Sequence, residues 1–377
     1  MDRFKVIVMM AAALCAAASC DVQGTEDGLE HADPVTRSDV AEILASLPIE
    51  EEHLDEVFDA VHSSSTNGYD EEYMMSDLFD APGRGVGDPA TKAGGRYSSP
   101  LRDLFMEYLS DRTKASGMDA GTFVDSVTDS GLQIYWPYSE DWDGISYPVI
   151  TYDPGDGSES NYGYEIGFDE NGERTLKRVV VDEKMAMERP VWVINTNDDS
   201  ALTPLCSVSS DTAGTKAGAD GKSQLILKNF TMLRQYDSWF GGASEFFVKC
   251  GSVDGFKATK DEDLKLYTPS VTDFMIVVKR KQMGLQIPLD VIMLTDLTDQ
   301  METLAFLVVE DDGGNSTSWK CQATVKYNSK SYGFDVDLPY KEKDDIVWRG
   351  QLATSYFDKY LPTVGRFGDV KISFVIR

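Results

Sequence analysis

Histidine is nearly missing from this chain of 377 residues. The three present, His31, His53 and His62, all lie ahead of residue 63, and everything beyond is without one. That removes the commonest general base and the commonest transition-metal ligand from most of the sequence, and histidine-dependent triads and zinc hydrolases with them. Cationic side chains are scarce too: 35 Lys and Arg stand against 64 Asp and Glu, a formal charge of −29. A field of that sign repels phosphate backbones and anionic headgroups, which argues against nucleic-acid binding. Only five cysteines occur, and no two form a C-x-x-C pair for redox work or zinc. G-x-S-x-G, S-x-x-K and H-E-x-x-H are all absent. Gly83-Arg-Gly85-Val-Gly87 lacks dinucleotide spacing, and Gly221-Lys222-Ser223 lacks the earlier P-loop glycine, because Lys216 stands there.

What is present begins with an address. Arg3 and Lys5 precede an apolar run from Val6 to Ala18, and Ala17, Ala18 and Ser19 lead into Cys20. A basic start, a short apolar stretch and small residues before a break mark a secretory signal, here residues 1–19. The run is shorter than the roughly 20 residues a membrane helix needs. Cysteine at the break resembles a lipobox, with Ala17 where leucine is usual. The resemblance implies a diacylated, palmitate-bearing Cys20 and an exported lipoprotein, at the outer membrane, the cell surface or the periplasmic face. A multiply acylated cysteine holds firmly where one chain holds marginally. Residues 20–36 are polar, acidic and without an apolar period, the composition of a tether.

Beyond the tether the chain is expected to be an α+β domain (37–195), a linker (196–222) and an all-β sandwich (223–377). Ser38 opens a helical period through Val40, Ile43, Leu44 and Leu47, and Leu54, Val57, Phe58 and Val61 form a second stripe. Pro100 begins a third helix running to Leu109, and Asp119 to Val127 a fourth. From Leu132 the segments LQIYWPY, YPVITY, YGYEIGF, TLKRVVV and PVWVIN read as strands of a small, mainly antiparallel sheet. Asp169-Glu-Asn-Gly172 is a hairpin turn in which Asn-Gly is expected to supply positive φ. The linker is rich in small and polar residues. In the last part Trp319, Cys321, Ala323, Val325 and Tyr327 alternate with polar residues, as do Val370, Ile372, Phe374 and Ile376. About eight strands are expected there, in a C2-like, jelly-roll or immunoglobulin-like arrangement.

Candidate sites follow from residue chemistry. Glu310, Asp311 and Asp312 come directly after an apolar strand, and Asp344 and Asp345 lie in another loop. Hard cations take several oxygen ligands from loops, so calcium is the cofactor these five would hold if the loops converge. Trp136, Tyr138 and Trp142 are candidate glycan-facing rings, flanked by Asp141, Asp143, Asp153, Asp156 and Glu159. A pair of those acids would suit a glycosidase. Cys250 and Cys321 each share phase with core residues and are candidates for a disulfide.

Two sets of segments carry a family resemblance. Ile134-Tyr-Trp-Pro, Phe168-Asp-Glu-Asn-Gly172 and Pro190-Val-Trp-Val-Ile-Asn195 form one, and Ser238-Trp-Phe-Gly-Gly-Ala-Ser-Glu245 with Phe306-Leu-Val-Val-Glu-Asp-Asp312 the other. Together they resemble a family of exported bacterial proteins known only as a domain of unknown function. The resemblance implies secretion and a β-rich carboxy half, and carries over no catalytic residue. Asp199-Ser200-Ala201 and Asp211-Thr212-Ala213 are similar to sites that Bacteroidetes O-glycosylate in the periplasm, which implies glycans on Ser200 and Thr212. The leading functional expectation is a noncatalytic, membrane-anchored module that binds protein or carbohydrate. The alternatives are a glycan-acting hydrolase using paired carboxylates and a structural component of an envelope assembly.

Overall fold

The computed structural model describes residues 35–66, 71–79, 100–116, 120–197 and 223–377, of which Val35–Arg377 belong to one compact unit. Cys20, Ser200 and Thr212 lie outside the described residues, as does nearly all of the 196–222 linker. An amino-terminal α+β layer precedes an antiparallel β-sandwich, the architecture the sequence leads one to expect.

Thr36 opens the first helix, α1 (Arg37–Ser46), two residues ahead of Ser38. Its hydroxyl accepts from the Asp39 N–H while the Asp39 carboxylate accepts from the Thr36 N–H, satisfying two otherwise unpaired donors. Then come α2 (Glu51–Thr66), β1 (Glu72–Met74), α3 (Met75–Phe79), α4 (Pro100–Ser116) and α5 (Ala120–Asp129). The remaining elements of the layer are β2 (Leu132–Tyr135), β3 (Val149–Tyr152), β4 (Ser160–Phe168), β5 (Arg174–Asp182), α6 (Glu183–Glu188) and β6 (Val191–Thr196). The sheet runs β1-β2-β6-β3-β4-β5, antiparallel throughout except where β3 lies parallel to β6. Leu44, Val57, Val61, Leu101 and Phe105 from the helices bury one face of the sheet, against Ile134, Trp136, Ile150, Trp192 and Ile194.

Strand β6 explains its own composition. Val191-Trp-Val-Ile-Asn195 is buried without a break, so both of its faces need a cover. Trp192 and Ile194 turn to the helices, whereas Val191 and Val193 pack with Trp239 and Phe240 from beyond the linker. The second cover is therefore a loop of the sandwich.

At the β4–β5 turn only Gly172 takes positive φ, +78°. Asn171 does not, so the turn differs from the expected one. The Asp169 N–H donates to the Glu173 carbonyl and the Gly172 N–H to the Asp169 carbonyl, while the Asp169 carboxylate accepts from the Asn171 and Glu173 N–H groups. The carboxylate thus organises a longer loop that leaves the left-handed position to glycine alone. Gly163 on β4 is a matter of space instead. A Cβ there would stand 2.6 Å from a Val181 methyl and 2.9 Å from the Ile150 carbonyl oxygen. Backbone cannot yield as a side chain can, so Gly163→Ala is expected to lose about 1–3 kcal/mol, read as a lower denaturant midpoint.

The sandwich has ten strands where about eight were expected: β7 (Leu225–Met232), β8 (Ser244–Ser252), β9 (Ser270–Val278), β10 (Ile287–Leu294), β11 (Met301–Glu310), β12 (Ser316–Tyr327), β13 (Lys330–Lys341), β14 (Asp345–Ala353), β15 (Thr363–Phe367) and β16 (Val370–Ile376). One sheet runs β10-β7-β16-β15 and the other β13-β12-β11-β8-β9, with β14 also paired to β11. Between them lies a core that includes Phe230, Phe246, Phe306 and Phe374.

The expected disulfide is not formed. Cys250 and Cys321 are both free thiols. Cys250 is buried on β8 opposite Phe306, whereas the Cys321 thiol donates at 3.5 Å to the Val336 carbonyl on its hairpin partner β13. Shared inward phase sets a face and leaves the neighbouring strand undetermined, and these two strands have other neighbours. Burial pushes both thiols up, Cys321 to about 11.

Candidate metal centre

Strand pairing gathers acids at one end of the sandwich. Because β8 and β11 run antiparallel, the start of one meets the end of the other, with Phe246 opposite Glu310. The Asp311 N–H donates to the Glu245 carbonyl, and β14 enters on the far side with Asp345 opposite Glu310. The loop between β7 and β8 adds Asp237, whose carboxylate accepts from the Ser244 hydroxyl at 3.3 Å. One carboxylate oxygen from each of Asp237, Glu245 and Glu310 lies within 4.8 Å of the others. Glu310 is fully buried and Glu245 nearly so.

Crowded, desolvated carboxylates hold their protons more tightly. Burial raises Asp237, against the pull of its hydrogen bonds with Glu310 and Ser244 and the charge of Arg280. Burial likewise pushes Asp312 up to about 6, helped by the charges of Asp237 and Asp345 and opposed by its hydrogen bond with Glu310. A carboxyl raised in the folded state contributes stability that is complete below its unfolded value and lost as pH rises through the folded one. In chelator, then, the melting temperature of the wild type is expected to fall between about pH 4 and pH 6, and Asp312→Asn to flatten that fall. Melts across this window in both proteins measure it.

Of the five acids read as calcium ligands, Glu310, Asp312 and Asp345 come together at this end. Asp311 is spent elsewhere: its carboxylate takes the Lys341 ammonium at 2.7 Å and the Gly313 N–H. Asp344 accepts the Lys341 and Asp312 N–H groups, tying the β13–β14 turn to the loop after β11. The two loops do converge, but part of their acid set builds the loops themselves. Sequence reasoning missed Asp237 and Glu245. Glu245 had a signal, a lone acid in the apolar strand Ala243-Ser-Glu-Phe-Phe-Val248; Asp237 had none.

The aromatic patch needs correcting. Trp136 is completely buried, edge-on to Trp142 and Trp192, so it offers no face to a sugar. The Trp142 indole N–H donates to the Ser146 carbonyl, and the Tyr138 hydroxyl donates to Glu183. A hollow of about 160 Å³ remains, lined by these rings with Asp141, Asp143, Met187 and Arg189. A glycosidase acid must keep its proton near neutrality. Hydrogen bonds inside their own turns hold Asp143 and Asp156 the other way, below the usual carboxylate range, and Asp153 is paired with Arg37.

Compared with known proteins, the chain matches no family model, and no curated protein matches it.

Proposed function

We propose that this chain is an exported lipoprotein of the bacterial envelope, tied to lipid through an acylated Cys20, whose sandwich end binds calcium in a noncatalytic binding body. The observation that carries the calcium reading is the meeting of Asp237, Glu245 and Glu310 inside a water-poor end of the fold. Like charges this close cannot all ionise in low dielectric; protons or a cation must relieve them. An all-oxygen donor set with no histidine or thiolate selects a hard cation, and calcium tolerates irregular loop geometry better than magnesium does. Asp312, Asp345 and loop carbonyls would complete the shell. The lipid reading is supported by residues 1–20, and no helix among the described residues is long and apolar enough to cross a membrane. The noncatalytic reading is supported by Asp143 and Asp156, which serve their own turns, and by Asp153, which is paired with Arg37. The ligand of such a body is a protein or a carbohydrate.

Calcium titration calorimetry at neutral pH is the test of the centre. Saturable heat that disappears in Glu310→Gln is expected; heat that never saturates would end the reading. For the anchor, the wild type is expected in the membrane fraction and Cys20→Ala in the aqueous one, with globomycin causing unprocessed precursor to accumulate. Unchanged partitioning of Cys20→Ala would remove the anchor and leave the calcium question standing.

A further inference from the structure

Strand β5 ends the six-stranded sheet, and its side away from β4 faces no other strand among the described residues. It is nine residues long, RTLKRVVVD, and exposed along most of its length. Two of its apolar side chains are turned to water, Leu176 at 46% and Val180 at 57%, and Tyr162, opposite Val180 on β4, is 52% exposed. Between the two apolar positions sit adjacent cations. The Lys177 side chain is 75% exposed and reaches Glu165 only at 3.9 Å, and the Arg178 guanidinium lies 4.0 Å over the Tyr162 ring. Lys177 and Arg178 thus place two cations at the middle of an exposed edge in a chain with a net charge of −29.

An open edge of this kind is a template for another strand. The charges decide which. Antiparallel pairing with a second copy centred on Lys177 or on Arg178 sets that cation directly against its own counterpart, and like charges directly opposite are destabilising. A strand bearing two adjacent carboxylates, with apolar residues placed to meet Leu176 and Val180, reverses that sign. Its backbone supplies the ladder bonds, its carboxylates meet Lys177 and Arg178 on opposite faces, and its apolar residues cover surface now in water.

We propose that β5 is a strand-addition site for an extended acidic segment of another polypeptide. This gives the binding body a partner chemistry, and it does not depend on the calcium centre, which lies at the end of the sandwich.

The probe is a fluorescein-labelled peptide, Thr-Val-Thr-Glu-Glu-Val-Thr, titrated with the full chain and read by anisotropy. Saturable binding is expected, weakened by about tenfold or more in Lys177→Glu/Arg178→Glu. The double variant should stay folded with a melting temperature lower by only a few degrees, the cost of setting an acid opposite Glu165 and losing the Arg178–Tyr162 contact at exposed positions. N-methylation of alternate peptide amides should abolish binding, because it removes ladder donors and leaves the charges in place. Three results would overturn the proposal: no saturable binding, equal binding by the N-methylated or a scrambled peptide, or concentration-dependent self-association of the full chain that the double variant blocks. The last would make a second copy the occupant.

Discussion

Millimolar calcium is expected to raise the melting temperature of this protein by roughly 3–5 °C over its value in chelator. A ligand at about one hundred times its dissociation constant adds about 2.7 kcal/mol to the folded state. For a compact unit running from Val35 to Arg377 each kcal/mol moves the midpoint by roughly 1–2 °C, since the entropy of unfolding grows with chain length. The sign of one substitution separates a true centre from a patch of surface acid. Glu310→Gln removes a charge from a fully buried position beside Asp237 and Glu245, so in chelator the variant should be more stable than the wild type. In calcium the order should reverse, because the variant has lost a ligand. Crossing of the two melting curves is the expected result. A variant destabilised by the same amount in both conditions would mean that Glu310 is structural and the cation reading wrong.

Trp239→Ala is expected to cost about 3–5 kcal/mol, the range for deleting a buried aromatic side chain. Trp239 is fully buried with its ring centroid 4.0 Å from that of Phe240, and its indole N–H donates to the Glu159 carbonyl. Asn195 fastens the same loop by donating to the Phe240 and Gly241 carbonyls. These rings come from the sandwich but close the second face of the amino-terminal sheet, over Val191 and Val193. Around them Lys279, Arg280 and Lys281 pair with Glu71, Glu183 and Glu140 respectively, three successive cations each holding a different acid of the α+β layer. The loss from Trp239→Ala should therefore appear in both halves. Urea unfolding followed by far-ultraviolet circular dichroism and by hydrogen exchange in β6 measures it. A cost below about 1 kcal/mol, or exchange in β6 that does not change, would show that the halves do not share this core.

Asp237 stands in the same loop just ahead of Trp239, and Glu245 follows it at the start of β8. That placement shows what could and could not be read in advance. Helix α2, strand β12 and strand β16 were legible because their apolar residues recur at the period of the element, and a period is local. The hairpin at Asp169–Gly172 was legible in position and wrong in type, since a carboxylate that caps its own turn admits a longer loop. The acid-rich turns after β11 and β13 were legible as turns, but their convergence entered only as the condition for a calcium site and was not determined by them. Asp237 was beyond reach: nothing in Tyr236-Asp-Ser-Trp239 distinguishes it from any turn acid.

What the sequence determined by itself is local. Alternation fixed which residues of a strand face inward and the excess of acids fixed the sign of the field around the molecule, whereas the start of α1 was read at Ser38, two residues past its Thr36 cap. Tertiary structure alone decided which inward faces meet. It set Cys321 against Val336 and away from Cys250, closed Trp136 off from solvent, and brought Asp237, Glu245 and Glu310 together across 73 residues of chain. The physical reason is that side-chain direction follows from the backbone of one strand, whereas contact depends on the register between strands distant in sequence. That register is chosen by the burial of the whole core at once.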